Sequence, residues 1–109
     1  MNPKNIFETE LLPAPEGDEL FEVLCKSPNI KIKRIISTGQ KTPLGKWYDQ
    51  KENEWAILLQ GFSSIEFESG IVVDLKPGDY LFFASGTKHR VAFTSLNPPC
   101  IWLAVYYTD

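Results

Sequence analysis

The sequence predicts an all-β domain, a sandwich or barrel of short antiparallel strands. Three observations carry that expectation. Apolar and β-branched runs recur along the whole chain, separated by turn residues at roughly eight- to twelve-residue intervals. Ser63 to Glu68 alternates strictly, with Ile65 and Phe67 on one face and Ser64, Glu66 and Glu68 on the other. From the turn at Ser27-Pro28-Asn29 onward the sequence is a procession of strands and turns.

Taken in order, Met1 to Asp18 reads as an N-terminal arm, because Pro3, Pro13, Pro15 and Gly17 deny it a long helix or a central strand. Ile6, Phe7, Leu11 and Leu12 are its expected anchors on the barrel domain, residues 19–109. Leu20 to Cys25 fits a helical face or a strand equally well. Ser27-Pro28-Asn29 is a turn, and Ile30, Ile32, Ile35 and Ile36 form a β-branched run. Gly39 to Gly45 is a loop. Trp55 to Gln60 is a strand ended by Gly61. Ser69-Gly70 is a tight turn into Ile71 to Leu75, and Lys76-Pro77-Gly78-Asp79 turns the chain into Tyr80 to Phe83. His89 to Thr94 and Ile101 to Tyr107 complete the set.

Composition narrows the function classes. Eleven basic against fourteen acidic residues give a net charge of −3 without a basic stripe, so nucleic acid is not an expected partner. No apolar stretch approaches the ~20 residues of a membrane-spanning helix, and the charged, proline-bearing N-terminus lacks the apolar centre of a signal peptide. A cytoplasmic protein with no membrane partner is expected. Cys25 and Cys100 lack zinc-like spacing and are read as buried small apolar residues.

Strand alternation sorts the chemistry-bearing residues. With Ala56 and Leu58 pointing inward, Glu54 points inward too, near the barrel mouth. A carboxylate there must pair, bind a metal or stay partly hydrated. His89, the only histidine, shares a face with Val91 and Phe93.

The stretch GDYLFFASGTKHRVAF, Gly78 to Phe93, resembles the second cupin motif, G(X)5PXG(X)2H(X)3N. Gly78, Gly86 and His89 match, whereas Ala84 stands for the proline and Phe93 for the asparagine. Of the first motif, G(X)5HXH(X)3,4E(X)6G, only Glu54 and Gly61 match. Tyr48 and Gln50 occupy the histidine positions at the shorter spacing, Trp47 and Asp49 at the longer. The resemblance covers residues 39 to 107 and is similar to a group of bacterial cupins carrying WYDQ, here Trp47 to Gln50. It implies an all-β cupin double-stranded β-helix, a jelly-roll barrel.

The resemblance also implies a ligand pocket at the barrel mouth built from Tyr48, Gln50, Glu54 and His89. These four are the candidate ligands of a divalent metal, Zn²⁺, Mn²⁺, Ni²⁺ or Fe²⁺, and no other cofactor is expected. Only Glu54 and His89 are strong donors. A facial triad of two histidines and a carboxylate is missing, which counts against iron-dependent oxygenation. The alternative is a metal-free polar cluster in which His89, Glu54 and Tyr48 satisfy one another. A third reading takes His89 and Tyr48 as an acid–base pair, as in metal-free cupin epimerases and isomerases. Lys88 and Arg90 are read as a solvated rim. The functional expectation is a small-molecule isomerase or lyase; its rival is a non-catalytic sensor or binding domain with a degenerate metal site. The apolar run Ile101 to Tyr107 and the apolar arm suggest a homodimer.

Overall fold

The computed structural model describes residues 1–109 and contains eight strands and no helix. They are β1 (Leu20–Ser27), β2 (Ile30–Ser37), β3 (Asn53–Gln60), β4 (Ser63–Phe67), β5 (Val72–Leu75), β6 (Tyr80–Phe83), β7 (His89–Thr94) and β8 (Cys100–Tyr107). Two antiparallel sheets face one another, a five-stranded sheet in the order β1-β2-β8-β3-β6 and a three-stranded sheet in the order β5-β4-β7. The ambiguous Leu20–Cys25 segment is a strand. Pro28 and Asn29 are too few to let it do anything but fold back on β2, with Ser27 paired to Ile30.

The core fills the space between the sheets. Ile35, Ala56, Leu58, Trp102 and Ala104 come from the large sheet, and Ile65 and Leu75 from the small one. Their positions follow from the period of two: Leu58 opposes Trp102, Ala56 opposes Ala104 and Glu54 opposes Tyr106. That inward row is apolar at its closed end and polar at the other, so the register itself builds a mouth.

The turns behave as their glycines require. Gly61 and Gly78 have φ of +86° and +95°, in the region open to glycine. At Gly61 a Cβ would also lie 2.9 Å from both the Cys100 Cα and the Pro99 carbonyl oxygen.

Four expectations need correction. Phe7, Leu11 and Leu12 are exposed, and Ile6 alone of the expected anchors is half-buried. The arm is held through its backbone instead: Arg34 donates to the carbonyls of Ile6 and Glu8, Thr38 to that of Pro13, and Gln40 to that of Ala14. Cys25 is exposed because it lies on the edge strand β1 beyond a bulge, whereas Cys100 is buried. Phe93 is exposed rather than inward. Ser64 pairs with Phe93 and Ile65 with Val91, so Ala92 is an extra residue that shifts the alternation. Arg90 is buried, not part of a solvated rim, because it pairs with Glu66 at 2.6 Å and donates to the Thr42 carbonyl. Lys88 is exposed and pairs with Glu68.

Candidate functional site

One cavity opens between the sheets, with ≈ 80 Å³ available to the centre of a water molecule. Its floor is apolar, formed by Ile35, Ala56, Ile65, Val91 and Trp102. Its polar lining is Glu19, Tyr48, Gln50, Glu54, His89 and Tyr106. Room for roughly five to eight water positions, at 10–15 Å³ each, suits one compact group of a small molecule.

Each site residue is delivered by a different element. β3 brings Glu54 inward beside Ala56, and its side chain is only 8% exposed. β7 begins at His89, whose side chain is 5% exposed. Tyr48 reaches the site because residues 42–48 run along the free edge of β7. Thr42 donates its N–H to Val91, and Tyr48 exchanges two backbone hydrogen bonds with His89, at 2.7 and 3.2 Å. Gln50 is placed by its carbonyl, which accepts the Gly86 N–H. The four residues expected at the site therefore line one cavity. Trp47 and Asp49, offered by the longer motif spacing, do not.

Hydrogen bonding fixes the ring of His89. Nδ1 lies 2.9 Å from the Thr87 carbonyl, which can only accept, so Nδ1 carries a proton and the lone pair of the neutral ring is on Nε2. Nε2 has no hydrogen-bond partner; the nearest carboxylate oxygen, Glu54 Oε1, is 3.9 Å away. Glu54 Oε1 instead accepts from the Gln50 amide at 2.8 Å. Phe83 stacks on the His89 ring at 3.9 Å between centroids, and Tyr48 stacks less closely at 5.6 Å.

Burial and negative charge dominate the electrostatics. Burial pushes the Glu19 carboxyl up, against a hydrogen bond donated by Ser37. Burial followed by the charge of Glu19 pushes the Tyr48 hydroxyl up. For Tyr106 the rise is large, again from burial first and then from the charge and hydrogen bonding of Glu54. Both phenols therefore stay protonated, as donors.

Sequence reading missed Tyr106 and Glu19. Tyr106 lies within a nearly continuous apolar run, and its face becomes legible only through its pairing with Glu54. Glu19 lies just before β1, outside any alternating pattern.

A cupin-domain family model matches residues 35–106, most of the chain. The chain is a cupin. No curated protein sequence matches it significantly. Among solved structures, this cupin is similar to a presumptive mannose-6-phosphate isomerase from Ralstonia eutropha JMP134, at 37% identity over 100% of both chains and a TM-score of 0.91. It also resembles a cupin superfamily protein from Desulfitobacterium hafniense DCB-2, at 18% identity over 99% of this chain and 100% of that one, with a TM-score of 0.72. A DMSP lyase from Ruegeria pomeroyi DSS-3 shares the fold at 18% identity, over 98% of this chain and 55% of the lyase, with a TM-score of 0.73.

Cupins commonly hold a divalent metal, and the donor set tests whether this one can. No group of three or more His, Cys, Asp or Glu side chains comes together. Glu54 and His89 Nε2 are two strong donors, but the Gln50 amide already occupies Glu54, presenting its NH₂ rather than its oxygen. The raised Tyr48 hydroxyl is a poor source of tyrosinate. These residues do not fit a firmly held metal.

Proposed function

We propose that this cupin binds a small molecule in the barrel mouth and moves a proton on it, with His89 as the base. The observation that carries this reading is the buried His89 ring, whose Nδ1 is committed to Thr87 while Nε2 faces the cavity unpaired. A histidine so oriented accepts a proton at Nε2 without changing its position. Glu54, 3.9 Å away, then stabilises the imidazolium that forms, as a carboxylate beside a catalytic histidine does in other enzymes. Gln50 holds that carboxylate in place, and Phe83 holds the ring. Tyr48 and Tyr106, kept protonated, supply hydroxyl donors to an oxygen of the ligand.

Proton-transfer isomerisation and β-elimination both need a base that takes a proton from carbon. The isomerase name attached to the Ralstonia relative, at 37% identity over the full length, supports this class.

The test is exchange of carbon-bound hydrogen for deuterium. The protein is incubated in D₂O with a panel of small neutral, anionic and cationic carbonyl compounds, and wash-in is followed by NMR. At least one compound should exchange, and His89→Gln should slow that exchange by about 10²- to 10⁴-fold. An unchanged rate in His89→Gln would remove His89 as the base.

A second reading, a non-catalytic binding or sensor domain, is favoured by the Gln50–Glu54 hydrogen bond, which satisfies the carboxylate before any ligand arrives. Saturable binding of a panel compound with no exchange in any would establish it.

A further inference from the structure

The charge on the cavity wall does not suit an anionic ligand. Glu19 and Glu54 place two carboxylates there, and none of the lining residues is Lys or Arg. No Lys or Arg comes within salt-bridge distance of either carboxylate. A phosphate bound in this space would face two like charges in a poorly solvated site, where repulsion is weakly screened.

The same wall is rich in aromatic faces, including those of Phe21, Trp102 and Tyr106. An aromatic face is negative in its quadrupole and attracts a cation. Two of these rings already carry a cation of the chain itself, the Lys33 ammonium lying 4.8 Å from the Tyr106 centroid and 5.9 Å from that of Phe21, so Trp102 is the ring left for a ligand. Lys33 itself remains outside the cavity lining. A third, independent feature points inward as well. His89 is 96% buried, yet its Nε2 has no partner in the protein and borders the cavity.

We propose that the ligand of this cupin is a small organic cation, an ammonium compound whose charged group is held by Glu19 and Glu54 beside Trp102. The cavity holds a head group of about five heavy atoms, so the rest of the molecule extends through the mouth. This rests on the cavity being the ligand site, and it differs in ligand class from the sugar phosphate in the name of the Ralstonia relative.

Choline chloride is the test probe, with 3,3-dimethylbutan-1-ol as its uncharged isostere and mannose 6-phosphate and inorganic phosphate as anionic probes. Each is titrated into the full-length protein at matched ionic strength, followed by tryptophan fluorescence and thermal unfolding. Choline should saturate and raise the melting temperature, and the uncharged isostere should bind about tenfold more weakly. Both anions should leave the signal flat. Glu19→Gln and Glu54→Gln should each weaken choline by about tenfold without changing the binding of the isostere. Equal binding of choline and its isostere would overturn the cation assignment while leaving the cavity a ligand site. So would saturation by mannose 6-phosphate with choline inert. A flat response to all four probes would overturn both the cation assignment and the ligand-site reading.

Discussion

Phe83 lies against His89 with its ring centroid 3.9 Å away and its plane tilted by only 18°. The contact follows from topology: β6 pairs with β3 so that Phe83 stands opposite Glu54, and β7 brings His89 across from the other sheet. Phe83→Leu keeps apolar bulk but removes the flat face. The expected result is a loss of about 1 kcal/mol in chemical denaturation beyond any change in buried area. The His89 ring resonances should broaden together with it. Sharp, unshifted resonances in the variant would show that Phe83 does not hold the ring.

Gly61 and Gly78 separate two costs of adding a side chain. Both have positive φ, but a Cβ at Gly78 meets nothing within 4 Å, whereas one at Gly61 meets backbone atoms at 2.9 Å. Gly78→Ala should therefore lose about 1–3 kcal/mol, from backbone strain alone. Gly61→Ala should lose more, since the β8 entry must shift as well. Equal urea midpoints for the two variants would contradict this ranking.

Burial raises the Glu19 carboxyl, which gives stability a definite pH dependence. The protonated form suits the folded state, so the contribution is complete below the ordinary carboxylate range and is lost as pH rises through the raised value. Glu19→Gln keeps an acceptor for the Ser37 hydroxyl and removes the ionisation. The variant should melt above the parent at pH 7, and the two should converge near pH 3. A constant difference across that range would show that Glu19 does not titrate in this way.

The donor set gives a direct expectation for metals. Zn²⁺, Mn²⁺, Ni²⁺ and Fe²⁺ at micromolar concentration should leave the melting temperature unchanged, as should EDTA, because two strong donors do not hold an ion against water. A stabilisation of several degrees by any of the four, lost in His89→Ala, would show that Gln50 yields its place to a metal.

The outer face of the five-stranded sheet carries rows of apolar side chains. Ile32, Val105, Trp55 and Phe82 form one row across four strands, and Leu103, Ile57 and Tyr80 lie in the next. We expect two copies to pack through this face, burying on the order of 800 Å² each. Light scattering should give a dimer mass at micromolar concentration, and Val105→Glu should give a monomer. A monomer in the parent protein would end this expectation.

Legibility of the sequence varied with the regularity of its alternation. Glu54, Ala56 and Leu58 sit on an unbroken period of two, and all three are buried. The same rule misplaced Phe93, since a bulge at Ala92 leaves no mark in the amino-acid pattern. Arg90 reads as a surface residue until Glu66 is known to lie opposite it. Tyr106 was hidden for a related reason. An apolar strand has no visible inner face until its neighbour is known, and β8 acquires one only from its register with β3.

The attachment of the arm has a consequence for substitution along it. Arg34, Thr38 and Gln40 grip it at the carbonyls of Ile6, Glu8, Pro13 and Ala14, and every amino acid possesses a carbonyl. The latch therefore does not read the identity of the residues it holds. Replacing an exposed side chain such as Phe7, Leu11 or Leu12 leaves every one of these acceptors in place.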